Sequence, residues 1–466
     1  MSGPRRIDLA AWEERYAALR AAGLAERWYG GPLSRHVADG DLRLRTMRFD
    51  DSPAALRLWN FLLTEEERLF AARTRGVKIV GAMKDLGTVP VLAYSLPGLV
   101  AFYPDGAWWL PCLMEDSAGL LPIADSLGIG ESFCPVRAML GAFVSGTQFP
   151  APDLLTCSAG AGCDDLSAIA QRLEALGRPI LWWEIPRRRP PEPGEEEVLL
   201  PGGSRAPAVL VAFVREELAR VLRALGELAG VAPTEAHLRR GVAWSNRLRD
   251  VLRELRRLAF TAEPAPLPAL ELLLAEALAL HFCSDRDEAV LVLEDLRNEV
   301  RARVAAGTGP LAPGAVRVFW VNPVADLETL NLLEDCGGRV CGTEYLFTHA
   351  LDRIPIDRPP LEALAGVALA DPMVGPVQDR AQRIVADARA FGAEALVVSR
   401  IPGASHCAFE GEAICALASR ELGVPAIEIE VPPVSDAVRA TLATRLEALV
   451  ETARAARGAA ARGGGG

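Results

Sequence analysis

Apolar positions recur at every third or fourth residue over residues 7–75, and this spacing predicts an N-terminal helical region over 1–75. The pattern then changes to short apolar runs bounded by Gly and Pro, which is typical of buried strands. In the first half of the chain these predicted strands are 76–81, 89–94, 153–157 and 180–184. A helical pattern at 165–176 separates the last two. The order strand, helix, strand predicts a parallel sheet in a first α/β domain over 76–208.

The second half of the chain repeats this change of pattern. A stretch rich in Arg, Pro and Glu at 187–203 predicts a surface loop, and helical periodicity then continues to about residue 305 with a break at 261–268. A second α/β domain is predicted over 313–458, with strands at 316–321, 338–341, 395–399 and 426–430, helices at 376–391 and 408–422, and a closing helix at 432–457. The Gly-rich end, 459–466, predicts a disordered tail. The predicted fold class is therefore α/β, with two parallel-sheet domains separated by a helical segment over 209–312.

Composition and charge exclude several classes of function. Half of the 466 residues are apolar, which suffices for a sizeable core, and the formal charge of −11 argues against nucleic-acid binding. The N-terminus lacks the apolar segment of a secretory signal, and no apolar stretch reaches the roughly 18–20 residues that a membrane helix needs. We therefore expect a soluble cytoplasmic protein without a membrane partner. The most apolar predicted helix, 270–282, would leave an exposed patch on a monomer and so predicts an oligomer.

Three of the nine cysteines follow a predicted strand or loop and directly precede a predicted helix: Cys134, Cys163 and Cys407. Ligands of open α/β sheets bind at the carboxyl ends of strands, and helix N-termini favour the thiolate that a metal requires. The three thiols are therefore candidate metal ligands. Each of them, taken singly, is equally compatible with a small buried apolar side chain. The chain has no Cys-x-x-Cys motif, so local spacing favours neither interpretation.

The sequence around these cysteines is similar to subunits of the ATP-dependent benzoyl-CoA reductases and (R)-2-hydroxyacyl-CoA dehydratases. The order and spacing of several loose motifs between about residues 75 and 451 carry this resemblance. The motifs are Glu131-Ser-Phe-Cys134-Pro-Val-Arg, Pro150-Ala-Pro-Asp-Leu-Leu-Thr-Cys-Ser-Ala-Gly-Ala-Gly-Cys163, Asn246-Arg-Leu-Arg, Glu334-Asp-Cys-Gly-Gly-Arg-Val, Gly392-Ala-Glu-Ala-Leu-Val-Val-Ser-Arg-Ile-Pro-Gly-Ala-Ser-His-Cys407 and Gly423-Val-Pro-Ala-Ile-Glu-Ile-Glu.

The resemblance implies two Rossmann-like domains and a [4Fe-4S] cluster whose ligands, by match, are Cys134, Cys163 and Cys407. It further implies an oxygen-sensitive enzyme that passes single electrons to an acyl-CoA thioester. Its partners would be a homologous subunit, in a homo- or heterodimer, and a separate ATP-hydrolysing iron–sulfur activator. The chain has no Gly-x-x-x-x-Gly-Lys-[Ser/Thr] loop, which fits the component that receives electrons.

Two alternatives remain open from the sequence. The related double-cubane proteins hold a larger iron–sulfur cluster and reduce small molecules, and Cys112, Cys157, Cys336, Cys341 and Cys415 are available as further ligands. Cys157 and Cys341 both end predicted strands. The other alternative is a non-catalytic subunit that stabilises a catalytic homologue.

Other features of the sequence limit what the resemblance implies. Family members often carry a Pro-Glu pair after the first strand, whereas Tyr94-Ser-Leu-Pro-Gly98 has no glutamate, so the catalytic acid or base is unknown. His406 is a candidate hydrogen-bond donor to a cluster, or a solvent-facing loop residue. The segment Arg187–Arg189 is a candidate for CoA phosphates. In a chain with only two lysines, Lys78 and Lys84, and an arginine-rich composition, we interpret that segment as a solvated loop.

Overall fold

The computed structural model describes residues 3–38, 40–85, 87–108, 120–278, 284–404, 409–433 and 435–463. Most of this chain is helical. The helices are α1 (Leu9–Ala21), α2 (Glu26–Tyr29), α3 (Ser34–Ala38), α4 (Pro53–Leu63), α5 (Glu65–Thr74), α6 (Val89–Tyr94), α7 (Leu120–Ser126), α8 (Ala138–Ser145), α9 (Asp164–Ala175), α10 (Ala208–Ala229), α11 (Glu235–Thr261), α12 (Ala269–Leu278), α13 (Arg286–Ala306), α14 (Glu328–Asp335), α15 (Pro360–Leu369), α16 (Val377–Ala390), α17 (Gly411–Leu422) and α18 (Arg439–Gly463).

The strands form two four-stranded parallel sheets and two short antiparallel pairs. They are β1 (Arg6–Ile7), β2 (Phe49–Asp50), β3 (Lys78–Met83), β4 (Leu99–Phe102), β5 (Leu154–Gly160), β6 (Leu181–Ile185), β7 (Glu197–Leu199), β8 (Arg205–Pro207), β9 (Val316–Val321), β10 (Gly338–Glu344), β11 (Ala395–Arg400) and β12 (Ala426–Glu430). The predicted α/β class is confirmed, and the two large sheets have the Rossmann-like arrangement that the resemblance implied.

Both large sheets have the same strand order. The first is ordered β4-β3-β5-β6 and the second β10-β9-β11-β12, so in each the chain runs from the first strand to a neighbour on one side and then returns to the other side. Their central strands are continuous apolar runs because helices cover both faces. This order places a crevice between the carboxyl ends of the first and third strands, which is where open α/β sheets bind ligands.

One predicted strand is wrong: residues 89–94 form helix α6. The Asp85 carboxylate accepts a hydrogen bond from the Val89 amide at 2.7 Å, and Pro90 stands in the first turn, where its missing N–H costs nothing. Every residue of this helix is buried. Because an apolar run of six residues has no polar face, its periodicity does not distinguish a buried strand from a buried helix.

The apolar helix at 270–282 is the second expectation that the fold changes. All residues of α12 are buried within the chain, where it packs against α4, α11 and α14. This helix therefore leaves no exposed patch over 269–278 and gives no support to an oligomer, while 279–283 lie outside the described residues. No helix in the described part of the chain combines the length and apolarity of a membrane span.

The N-terminal helical region packs on the helical segment and on the second sheet domain. Arg43 is buried and forms ion pairs with Asp326 and Asp436, which follow strands β9 and β12. Helix α4 contacts α12 and α13. Between 187 and 203, where the sequence predicted only a loop, the strand β7 pairs with β8 in a short hairpin. The closing helix α18 begins at Arg439, later than predicted, and continues to Gly463.

Candidate active site at the carboxyl ends of the first sheet

Cys163 lies at the crevice of the first sheet. Strand β5 ends at Gly160, and Cys163 is the N-cap residue of α9. The connecting turn requires glycine at both ends, because Gly160 has φ +84° and Gly162 has φ +111°. A Cβ at Gly160 would also lie 2.5 Å from the Ile185 carbonyl oxygen. The tight turn holds the Cys163 thiol against the first turn of α9.

Cys134 precedes an element that contacts the helix capped by Cys163. It is the N-cap of a 3₁₀ turn, Pro135–Arg137, that leads into α8, and this turn packs against α9. Arg137 fixes the loop, since its guanidinium donates to the Phe133 carbonyl at 3.1 Å and pairs with Asp125 at 3.1 Å. Two of the three cysteines predicted as ligands therefore lie at the starts of helical elements that contact each other.

Cys407 lies outside the described residues, as does His406. The segment that leads to Cys407 is described as far as Ala404, and it contacts the Cys134 loop. Gly403 has φ +80°, and a Cβ there would lie 2.6 Å from the Phe133 carbonyl oxygen and 3.0 Å from that of Glu131. Only glycine allows this approach of two backbones. The crevice of the second sheet, at the end of β11, is thereby joined to the Cys134 loop of the first domain.

The surroundings of Cys163 determine its charge state. Burial raises the pKa of the Cys163 thiol to about 12, while the amides of Leu166 and Asp165 and the Lys84 ammonium act in the opposite direction. A neutral thiol is therefore favoured at this site near neutral pH, as it is for the buried Cys157 and Cys341. Among the described residues, no group of three or more His, Cys, Asp or Glu side chains is arranged to hold a metal ion.

Two residues of this crevice were not identified from the sequence. Lys84 and Asp85 directly follow β3, and both are buried. Burial raises the pKa of Asp85 to about 6, against the opposing hydrogen bonds from Thr88 and Val89. Asp85 is therefore the acidic residue that follows the first strand of the first sheet. The segment Tyr94–Gly98, which has no glutamate, instead runs from the end of α6 to the start of β4. The rarity of lysine in this chain was the feature of the sequence that could have identified Lys84 as a site residue.

The remaining described cysteines occupy other environments. Cys157 and Cys341 lie within β5 and β10 rather than at their ends, and both are fully buried. Cys336 is the C-cap of α14 and contacts the Ala443 carbonyl, on the side of the second sheet where β10 begins. Cys415 lies on α17. Cys112 and Cys283 lie outside the described residues.

A cavity of about 670 Å³ lies between the 188–205 segment and helix α16 of the second domain. Arg188 lines it and is buried, so our interpretation of Arg187–Arg189 as a solvated loop is wrong for this residue. The Arg188 guanidinium donates to the Ser204 hydroxyl and lies 3.2 Å from Asp379, and its Nε has no hydrogen-bond partner among the described residues. The Arg188 amide donates to the Val374 carbonyl at 3.0 Å, which anchors the segment to the second domain.

Two titratable residues, His349 and Asp371, lie at or beside this cavity. His349 lines it and lies 3.9 Å from the carboxyl of Asp371. Burial raises the pKa of Asp371 to about 7, and the nearby carboxylates of Glu344 and Asp85 act in the same direction. Asp85 belongs to the first domain, and the loop after it contacts the second half of the chain, because a Cβ at Gly87 would lie 3.1 Å from the Ala350 Cβ.

Comparison with known protein families identifies the family of this chain. The chain from residue 92 to residue 453 matches the model of a family described as 2-hydroxyglutaryl-CoA dehydratase, D-component. Among curated proteins, none matches this chain. The matched region covers more than three-quarters of the sequence and includes Cys134, Cys163 and Cys407. The chain belongs to the 2-hydroxyglutaryl-CoA dehydratase D-component family.

Proposed function

We propose that this chain is the iron–sulfur component of an ATP-activated enzyme of the 2-hydroxyacyl-CoA dehydratase or benzoyl-CoA reductase type, and that Cys134, Cys163 and Cys407 bind its [4Fe-4S] cluster. The observation that carries the proposal is the convergence of three segments: the Cys134 turn packs on the helix that Cys163 caps, and Gly403 contacts the Cys134 loop. When bound, such a cluster supplies single-electron transfer at low potential.

The chain's own residues would hold and shield the group. Three thiolates leave one coordination position open, by the same logic that separates catalytic from structural zinc sites. The buried Asp85 carboxyl caps the start of α6 beside the crevice, and burial raises its pKa to about 6, which makes it a candidate group for proton transfer. Glycines at 160, 162 and 403 allow the backbone to approach closely and exclude water.

The acyl-CoA substrate would occupy the cavity lined by Arg188. Guanidinium groups match phosphate geometry, and Arg188 supplies positive charge to the lining of this cavity. The name of the family describes one component of an enzyme. We accordingly infer that the chain works with a homologous subunit and with a separate ATP-hydrolysing activator.

The experiment is an iron and sulfide analysis of the anaerobically purified chain, with Cys134→Ser, Cys163→Ser and Cys407→Ser. We expect about four irons in the unchanged protein and loss of the visible charge-transfer absorbance in each variant. Cys336→Ser is the matched control, because Cys336 lies just before β10 begins, at the opposite end of the second sheet from the carboxyl edge, and it should keep the cluster.

Each of the other outcomes would indicate a different function for this chain. About eight irons would indicate the double-cubane reductase of small molecules. No iron in the unchanged protein would indicate a non-catalytic subunit. Full iron content in all three serine variants would contradict the ligand assignment.

A further inference from the structure

The turn after the first strand is built in the same unusual way in both sheet domains. Lys84 follows β3 with φ +52°, and Asn322 follows β9 with φ +71°. Both turns bond to a serine of the third strand: the Ser158 hydroxyl donates to the Lys84 carbonyl, and the Asn322 amide donates to the Ser399 carbonyl at 2.9 Å. The left-handed backbone is therefore a property of the shared topology.

The residue at this turn is Lys84 in the first domain and Asn322 in the second, and the shared topology does not explain this difference. Asparagine is one of the few side chains that readily tolerate the left-handed region, whereas lysine gains nothing from it. The chain is also almost devoid of lysine, with arginine used nearly everywhere else. Arginine carries the same charge on a larger, planar group, so a compact ammonium is what distinguishes this position.

The Lys84 ammonium points toward the Cys163 turn. Its Nζ donates to the Ser167 hydroxyl on α9 at 2.8 Å, and a Cβ at Gly162 would lie 3.0 Å from Lys84 Cε. Gly162 therefore leaves the space through which the lysine stem passes. Lys84 is only 8% exposed. The side chain is held beneath the first turn of α9, which Cys163 caps.

The charge of Lys84 lacks a carboxylate partner within 4.0 Å in the described part of the chain. The other lysine, Lys78, is half-exposed and pairs with Asp153 at 3.0 Å. A buried ammonium without an anionic partner is unfavourable, so negative charge bound beside Lys84 would be stabilised. The Cys157 and Cys163 thiols both interact with the Lys84 charge, and Cys163 is the one of the two proposed as a metal ligand.

We propose that Lys84 is a charge-compensating positioning residue that tunes the reduction potential of a cluster bound by Cys163. This inference rests on the proposed function. One-electron reduction, with the electron supplied by a low-potential donor such as the activator or titanium(III), adds one negative charge to the site and forms or breaks no bond. A neighbouring ammonium stabilises this more negative form and so raises the potential.

The test is an EPR-monitored redox titration of the anaerobically purified full chain, together with its iron content. For Lys84→Gln we expect full iron and a reduction equilibrium constant about tenfold smaller, which corresponds to about 59 mV. Lys78→Gln is the matched control and should keep the original potential. Lys84→Arg keeps the charge and should restore most of the difference.

The outcomes separate this inference from the one on which it rests. Iron at the original level with an unchanged potential in Lys84→Gln overturns the role of Lys84 and leaves the cluster in place. Absence of iron in the unchanged protein overturns both. If Lys84→Gln loses the cluster, retention in Lys84→Arg at nearly the original potential supports the charge role. Loss of the cluster in both variants overturns the charge role, because a requirement for the shape of the lysine side chain then explains both losses.

Discussion

The two sheet domains share one strand order and one turn geometry, yet their carboxyl edges are filled differently. In the second domain, buried Arg380 bonds Glu344 at the end of β10, Asn322 at the end of β9 and Glu410 before α17. In the first domain, the equivalent region holds thiols, a lysine that bonds a single hydroxyl, and Asp85. The comparison shows that one topology supports a closed ion-paired edge in one domain and an edge with thiols and an ammonium without a carboxylate partner among the described residues in the other.

The largest expected effect comes from breaking the closed edge. Arg380→Met removes the cation from between Glu344 and Glu410, leaving the buried Glu344 carboxylate without compensation beside the partly exposed Glu410. We expect a loss of about 3–5 kcal/mol in the free energy of unfolding, measured by denaturant titration. Arg389→Met removes an exposed arginine of the same helix and should change it by less than about 0.5 kcal/mol. Equal effects in the two variants would contradict the contrast.

The cavity between the domains gives the second prediction. Arg188→Gln removes the buried guanidinium that lines it. With an active preparation we expect KM for the acyl-CoA to rise about tenfold, equivalent to about 1.4 kcal/mol, with kcat little changed, since a group remote from the reacting atoms contributes uniform binding. Arg189→Gln is the control, because Arg189 pairs with Glu195 at the surface. A fall in kcat with KM unchanged would exclude this role.

The third prediction uses pH to compare the acids of the two edges. The pKa of Asp371 is raised to about 7 and that of Asp85 to about 6, both by burial, so the native state binds each proton more tightly than the unfolded chain does. Their contribution to stability is therefore complete below about pH 4 and is lost as pH rises through 6 to 7.

Asp371→Asn should flatten this loss between pH 5 and 7 by up to about 1.4 kcal/mol per pH unit. The measurement is the free energy of unfolding across pH 4–8. Asp357→Asn, at an exposed site, should leave the slope unchanged. A slope in Asp371→Asn identical to that of the original protein would show that the carboxyl stays ionised across this range.

The smallest effect distinguishes the two turns themselves. Ser158→Ala removes the hydroxyl that donates to the Lys84 carbonyl and should cost about 1 kcal/mol of unfolding free energy. Ser399→Ala should cost less than half as much, because Asn322 bonds the Ser399 backbone carbonyl and the Ser399 hydroxyl has no partner among the described residues. Differential scanning calorimetry resolves the pair, and a reversed order would contradict the assigned contacts.

The sequence was sufficient where a local pattern dictates a local structure. Strands β3, β5, β6, β9, β10, β11 and β12 all fall on predicted runs, because branched apolar residues between Gly and Pro signals have few alternatives. The placement of Cys134 and Cys163 before helical elements is confirmed for the same reason. The error at 89–94 arose where the run was apolar throughout and its period carried no information.

Partnerships between distant segments were not available from the sequence. Nothing near Arg188 signals that Val374 and Asp379 will bury it, and nothing near α12 signals that α4 and α11 will cover its apolar surface. The arginine-rich composition also led to a wrong interpretation, because it favoured a solvated loop for the segment that contains the buried Arg188. Lys84 was visible as a rare residue, but its orientation toward the Cys163 turn depends on the packing of β3 against β5.

The sequence by itself determined the alternation of helical and sheet-forming regions, the positions of Cys134 and Cys163 at the starts of helical elements, and the family. These depend on backbone preferences and periodicities that act over a few residues. Only the tertiary structure decided that Gly403 meets Phe133, that Lys84 is buried beneath α9 and that Asp371 is buried. The physical reason is that burial and charge compensation depend on which distant surfaces pack together, and that choice minimises the free energy of the whole chain rather than of any segment.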